Sequence, residues 1–198
     1  MRLGPETVDP DPLVQLRRWY DDAVARGVEQ PDAMTVATVA ADGAPDARTV
    51  LLRGFTDDGV VFYTNLASAK ARQIQARPAA AAVLHWREVG RQVRIRGSVR
   101  PVDGATADRY WASRPRGHQI SAWASPQSEA VDLATLERRV REVDARFGDG
   151  EVPRPPFWGG FVVAVGELEC WERGPDRLHD RVRYRRGGAE WIRERLAP

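Results

Sequence analysis

Apolar and polar positions along this chain change period several times, and each change marks an element. Asp11-Pro12 reads as a helix N-cap followed by proline at the first helical position. Leu13, Leu16, Tyr20 and Ala23 follow at helical spacing until Gly27 ends the run. Residues 34–39 then read as a strand, and Asp42-Gly43 is a hairpin-type turn signal. Further strands are expected over 47–53, over 60–64 after the turn residues Asp57-Asp58-Gly59, and over 80–86 and 91–102. Short helices are expected over 68–76 and 105–112. Residues 113–127, rich in Pro, Gly and Ser, read as an irregular functional loop or lid. Leu133, Leu136, Val140, Val143 and Phe147 recur at alternating gaps of three and four, a narrow apolar stripe on one helix. That stripe suits packing on the main body or across a dimer. A linker over 148–156 leads to Trp158-Gly159-Gly160, one long strand over 161–172, and two short strands near 182–184 and 191–195. Strands in antiparallel succession with helices at the margins predict a mainly β fold with flanking helices (α+β), closed or split into a barrel. Residues 1–10 are expected to be a short, loosely ordered segment ahead of a single domain over 11–198.

The chain has 198 residues, long enough to bury a substantial core. Hydrophobic content of 42% and charged content of 29% are those of an ordinary globular protein. Thirty basic residues against 28 acidic ones leave a net charge of only +2, so any positive patch is local. That favours a small anion site over a track for nucleic acid, which is not an expected partner. No apolar run approaches membrane-spanning length, and the proline-rich start offers no signal-peptide core, so the cytoplasm is the expected location. The lone Cys170 allows no intrachain disulfide and no multi-cysteine metal site, and reads as a buried thiol.

Two blocks concentrate the candidate chemistry, Arg91 to Gly97 and Arg177-Leu178-His179-Asp180-Arg181. In a strand Gln92, Arg94 and Arg96 share one face while Val93 and Ile95 turn to the core. Guanidinium forks suit planar recognition of phosphate or carboxylate, so the first inference is an anionic, phosphorylated ligand. Alone, this row fits a solvated face with cross-strand ion pairs better than it fits a ligand site. His85, His118 and His179 stand far apart without an HExxH pair, and no metal is expected. No GxSxG elbow, Rossmann glycine pattern or P-loop is present. What remains is a scatter of phosphate and aromatic binders at strand ends and in loops. Such a scatter suits a protein that holds a large anionic cofactor and leaves the chemistry to it.

Eight blocks then stand in one order: Arg48-Thr49-Val50-Leu51-Leu52-Arg53, Val61-Phe62-Tyr63-Thr64-Asn65, Arg91-Gln92-Val93, Tyr110-Trp111-Ala112-Ser113-Arg114-Pro115, Gln119-Ile120-Ser121-Ala122-Trp123 with Gln127-Ser128, Phe157-Trp158-Gly159-Gly160-Phe161, Arg177 to Arg181, and Arg195-Leu196-Ala197-Pro198. In these blocks, from about Asp11 to the last residue, the chain resembles the pyridoxine/pyridoxamine 5′-phosphate oxidases, FMN-binding split-barrel flavoproteins. The resemblance implies FMN contacts at Arg48, Thr49, Val50, Leu51, Leu52, Arg53, Tyr63, Thr64 and Lys70, and at Gln92, Gln127, Ser128, Trp171 and Arg181. It implies substrate contacts at Arg53, Tyr110, Arg114 and His118, and places the reacting carbon with Arg177 and His179, the expected catalytic pair. It also implies a homodimer with FMN at the interface. The implied reaction is hydride transfer from C4′ of the B6 phosphate to flavin N5, with O2 reoxidising the flavin to give H2O2.

The chain departs from the family pattern at four places. Arg53 stands where a lysine is usual, His118 where a serine is usual, and Ala69 where an arginine is frequent. Residues 1–10 offer no counterpart to an N-terminal arm that covers the substrate. A related FMN oxidase acting on another reduced aromatic compound, such as a dihydrophenazine precursor, is the alternative expectation. A non-catalytic flavin or B6-phosphate binding protein is the second.

Overall fold

The computed structural model describes residues 2–198. Helix α1 (Pro12–Ala25) starts as its sequence requires, with the Asp11 carboxylate accepting from the amides of Leu13 and Val14. Leu16, Trp19 and Ala23 bury its inner face. Ten strands follow: β1 (Ala33–Val39), β2 (Pro45–Leu51), β3 (Gly54–Phe55), β4 (Gly59–Asn65), β5 (Ala79–Trp86), β6 (Arg91–Pro101), β7 (Trp158–Ala164), β8 (Glu167–Glu172), β9 (Asp180–Gly187) and β10 (Glu190–Arg195). Between them lie α2 (Ala69–Ala76), α3 (Gly104–Ala112), α4 (Arg116–Ala124) and α5 (Leu133–Phe147).

Every strand pairing is antiparallel. One path runs β10-β9-β8-β6-β5-β1-β2, while β3, β4 and β7 form a second ladder that meets the first at β6. The first part of β6, Arg91 to Arg96, pairs with β8, and Val99 to Pro101 pair with β7. The bend between them curls the sheet around a core containing Met34, Val36, Phe62, Leu84, Val93, Ile95 and Leu168. A mainly β, barrel-like fold with flanking helices is therefore present. Val93 and Ile95 are fully buried, and Arg94 and Arg96 face outward to Glu169 and Glu167.

Three expectations are corrected. The segment 113–127 is not irregular throughout, because α4 lies within it and buries Ile120 and Ala124 one turn apart. Gly117, Ser121 and the charged neighbours dilute that apolar spacing. The strand expected over 161–172 is two strands broken at Val165-Gly166, where the Gly166 amide donates to the Arg96 carbonyl. The break is forced by the curl, since β7 and β8 pair with different parts of β6. Residues 2–10 are not loose: Leu3 and Val8 are buried in the core, and the Tyr184 hydroxyl donates to the Asp9 carbonyl at 2.7 Å. Two apolar residues around a Gly-Pro turn are too sparse to show a period. Met1 lies outside the described residues.

Candidate active site

An open cleft of about 900 Å³ lies between β2, β4 and helices α2, α3 and α4. Because β2 ends the strand path and pairs only with β1, one edge of its backbone borders this cleft at Thr49, Val50 and Leu51. Leu52 turns away, its side chain buried in the core.

One end of the cleft carries two cations. Arg48 lies opposite Val36 in the β1–β2 register, and its guanidinium donates to the Thr38 hydroxyl at 2.6 Å and to the Gln73 Oε1 at 3.2 Å. It is also ion-paired with Asp46. Lys70, on the first turn of α2, is 7% exposed, and its ammonium donates to Thr64 at 3.2 Å and to Gln127 at 3.1 Å. Burial pushes the Lys70 pKa down, the Arg48 guanidinium pushes it further, and Asp46 opposes both. A buried ammonium beside a guanidinium is costly unless anions join them, so this end could hold an anionic group in addition to Asp46. Ser128, whose hydroxyl accepts from the Ala69 amide at 3.1 Å, sits there in the left-handed region at φ 76. Such backbone strain in a non-glycine residue gathers at functional sites.

The other end is aromatic and again cationic. Tyr63 stacks on Tyr110 at 4.0 Å and on Trp158 at 5.3 Å. Arg114 lies over Trp158 at 4.9 Å, and its Nη1 is buried with no hydrogen-bond partner among the described residues. Burial holds its pKa below the ordinary value. Arg53, ion-paired with Asp32, and the exposed His118 complete this end. Arg48, Arg53, Tyr63, Thr64, Lys70, Tyr110, Arg114, His118, Gln127 and Ser128 thus all border one cleft.

The remaining expected site residues form a separate group. Gln92, Trp171 and Arg181 are direct cross-strand neighbours on β6, β8 and β9, making one row although far apart in sequence. Arg181 is held by Glu169 at 2.7 Å and by the Ala197 carbonyl at 2.8 Å. His179 packs against Trp171 at 4.6 Å, and its Nδ1 accepts from the Gly174 amide at 3.3 Å. Arg177 is exposed, with φ 62 after Asp176 at φ 49, two consecutive left-handed residues that project it from the surface. His85 is exposed and lies directly across from Gln92 on β5, beside this row and away from the cleft.

Arg48 and Gln92 lie on opposite faces of the same sheet. Arg48 is in register with Val36, Ala82 and Ile95, a row whose other three members are fully buried. Gln92 is three residues from Ile95, so strand alternation turns it to the other face. Across the strands from β2 to β6 the separation is about 14 Å at ordinary strand spacing. Within one chain, therefore, Arg48 and Gln92 do not converge on one point.

Asp46, Thr38 and Gln73 were not foreseen at the site. Gln73 is three residues from Lys70 on a helix, and Asp46 two from Arg48 on a strand, so both spacings place each pair on one face. Among the described residues no cluster of His, Cys, Asp and Glu could hold a metal, and no helix is long and apolar enough to cross a membrane.

Comparison with known proteins agrees with this geometry. Residues 20–147 match the family model for pyridoxamine 5′-phosphate oxidase, and residues 158–198 match the pyridoxine 5′-phosphate oxidase C-terminal dimerisation region. A pyridoxine/pyridoxamine 5′-phosphate oxidase of Rubrobacter xylanophilus is 47% identical over 99% of this chain and 91% of its own length. One from Salinibacter ruber is 48% identical over 99% and 93%. Among solved structures, PhzG of Burkholderia lata 383, in complex with tetrahydrophenazine-1-carboxylic acid, superposes with a TM-score of 0.92 at 33% identity, covering 98% of this chain and 96% of that one.

Proposed function

The chain belongs to the pyridoxamine 5′-phosphate oxidase family, and on that footing we propose that it is an FMN-dependent oxidase of pyridoxine and pyridoxamine 5′-phosphate. The observation that carries this reading is the cleft with cations at both ends, Arg48 and Lys70 at one, Arg114 and Arg53 at the other. A flavin phosphate and a substrate phosphate need two such ends, with room for stacked rings between them.

The residues fit FMN. The buried Lys70 ammonium, pushed down by burial and by Arg48, is a cation waiting for an anion. Ser128 and Thr64 add hydroxyls beside it. The β2 edge offers backbone donors and acceptors to the polar rim of a flavin ring. FMN held by these residues would supply the redox chemistry, hydride acceptance from the substrate's C4′ and reoxidation by O2 with release of H2O2.

Everything else in the reaction is positioning by this chain. Arg114 and Tyr110 take the substrate phosphate, with Arg53 and His118 at its rim. The fork of Arg114 is kept flat by Trp158, so its donors are aimed before substrate arrives. His179, accepting at Nδ1, keeps its proton on Nε2, where it can donate to the substrate ring's substituent. Arg177, projected by two left-handed residues, is free to reach over a substrate ring bound in the partner's cleft. Holding donor against acceptor in this way supplies much of the rate.

Because the Gln92, Trp171 and Arg181 row lies on the sheet face opposite Arg48, it serves, with the neighbouring Arg177 and His179, the site of a second copy in this reading. The protein in this reading is a homodimer, and each site draws its phosphate cradle from one protomer and its ring contacts from the partner. The match of residues 158–198 to a dimerisation region supports that arrangement.

Anaerobic mixing of the FMN-loaded protein with pyridoxamine 5′-phosphate tests the function. The visible flavin absorbance is expected to bleach at once and to return on admitting air. A flavin that stays oxidised would count against this substrate. The likeness to PhzG favours a second reading, oxidation of a reduced phenazine carboxylic acid, in which Arg53, Arg114 and His118 would hold a carboxylate. Bleaching by such a compound but not by the B6 phosphates would select it.

A further inference from the structure

Both Nη atoms of Arg48 have partners within the protein, which leaves Nε to donate to a ligand. Nη1 donates to the Thr38 hydroxyl at 2.6 Å and to the Val36 carbonyl at 3.3 Å. Nη2 donates to Gln73 Oε1 at 3.2 Å and pairs with Asp46. Gln73 joins all the members of this cluster, since its Oε1 also accepts from the Thr38 hydroxyl and its Nε2 donates to Asp46 at 3.0 Å. Thr38 is 2% exposed and lies opposite Asp46 in the strand register. Thr38 therefore cannot swing to water, and the carboxylate beside it is fixed from both sides.

An arginine on an outer strand ordinarily samples many rotamers, and fixing it costs up to about 2 kcal/mol of side-chain entropy. Here that ordering is completed by Thr38, the Val36 carbonyl, Gln73 and the Asp46 carboxylate before any ligand binds. Gln73 projects from α2 one turn beyond Lys70, so a single helix carries one phosphate-binding cation and the amide that orients the other.

We propose that Gln73, acting with Thr38, is a positioning residue for the cofactor phosphate, holding the Arg48 guanidinium at the fixed angle from which it selects FMN over unphosphorylated riboflavin. The proposal rests on Arg48 being a phosphate ligand, as read above. Gln73 itself touches no ligand. Its effect is confined to the phosphate end, which separates it from a residue that merely supports the fold.

The test is titration of flavin-stripped full-length protein with FMN and, separately, with riboflavin, followed by quenching of flavin fluorescence. Gln73→Leu and the near-isosteric Thr38→Val each remove one acceptor from Arg48. Each is expected to weaken FMN about tenfold, the order of a lost hydrogen bond to a charged group, with riboflavin affinity unchanged within about twofold. Two variants on different elements guard against the loss of fold in either one. Arg48→Ala is the control, expected to erase most of the preference for FMN. If Arg48→Ala erases the preference while both other variants keep the parent's ratio, the positioning role is overturned and the phosphate reading of Arg48 stands. If Arg48→Ala leaves the ratio unchanged, that reading falls and the positioning role falls with it. An equal loss of both flavins in Gln73→Leu and Thr38→Val would mean a structural role only, and would also overturn the proposal.

Discussion

Arg114 lays its guanidinium over the indole of Trp158, 4.9 Å from the ring centroid, and its Nη1 is buried without a hydrogen-bond partner among the described residues. A buried donor left unpaired is costly unless a ligand satisfies it, and a phosphate in the cleft does so. Arg114→Ala is expected to raise KM for pyridoxamine 5′-phosphate by about 10- to 100-fold, the worth of a charge-assisted hydrogen bond, with a smaller fall in kcat. Arg114→Lys should recover little, because an ammonium neither stacks flat on Trp158 nor offers a fork. Steady-state kinetics with the phosphorylated and unphosphorylated amines checks this. An equal loss for both would deny Arg114 its phosphate.

Lys70 predicts a trade of function against stability. Its pKa is pushed below the ordinary 10.5, first by burial and then by Arg48. The charged form is thus disfavoured in the folded state. That penalty is fully present below the folded-state pKa and relaxes as pH rises from there toward 10.5, the reverse of a lysine that gains a partner. Lys70→Met, which removes the charge and keeps the stem, should leave the flavin-free protein melting no lower than the parent at pH 7. A gain of about 2–4 °C would correspond to about 1 kcal/mol in a domain of this size. FMN affinity should fall at least tenfold, as expected for a lost ion-paired phosphate contact. A flavin-free variant melting well below the parent would mean that the bonds to Thr64 and Gln127 outweigh the burial cost.

Much of this fold was legible because strand alternation and helical spacing are local signals. Val93 and Ile95 inward with Arg94 and Arg96 outward follows from period alone. The break at Val165-Gly166 was not legible, because it depends on which part of β6 each half pairs with, a long-range fact. Helix α4 was missed because only Ile120 and Ala124 bury its face, too few to register against Gly, Ser and Arg. At the site, the family blocks located the binders, but spacing could not show that Gln92 and Arg48 face opposite ways. That depends on the odd offset between Gln92 and Ile95, visible only once the register of four strands is known.

The same curl makes Gly97 irreplaceable. A Cβ there would fall 1.7 Å from the Ala164 carbonyl oxygen and 2.9 Å from the Gly166 amide, both backbone atoms that cannot step aside. Gly97→Ala is expected to cost about 1–3 kcal/mol or more through overpacking, read as a lowered melting temperature. Gly117, inside α4 with nothing within 4 Å of its Cβ position, is the comparison. Gly117→Ala should be neutral or stabilising by up to about 1 kcal/mol. Equal effects at the two positions would deny the close approach of β6 to the β7–β8 corner.

Mixed dimers decide whether the two groups of site residues meet across a subunit interface. Lys70→Met damages the cleft group and Arg181→Ala the row formed with Gln92 and Trp171 on the opposite face. Homodimers of either variant carry a lesion in both sites. Suppose each site takes its cradle from one protomer and its ring contacts from the partner. A dimer of one Lys70→Met chain with one Arg181→Ala chain then has both lesions in one site and none in the other. Such a dimer, purified through two different tags, should bind one FMN with the parent's affinity and turn over pyridoxamine 5′-phosphate at about half the parent's rate per dimer, as independent symmetric sites require. If each site were built within one chain, every site of the mixed dimer would be damaged, and neither tight binding nor activity would return. The opposite-face placement of Arg48 and Gln92 favours the shared arrangement, so recovery in the mixed dimer is the expected result.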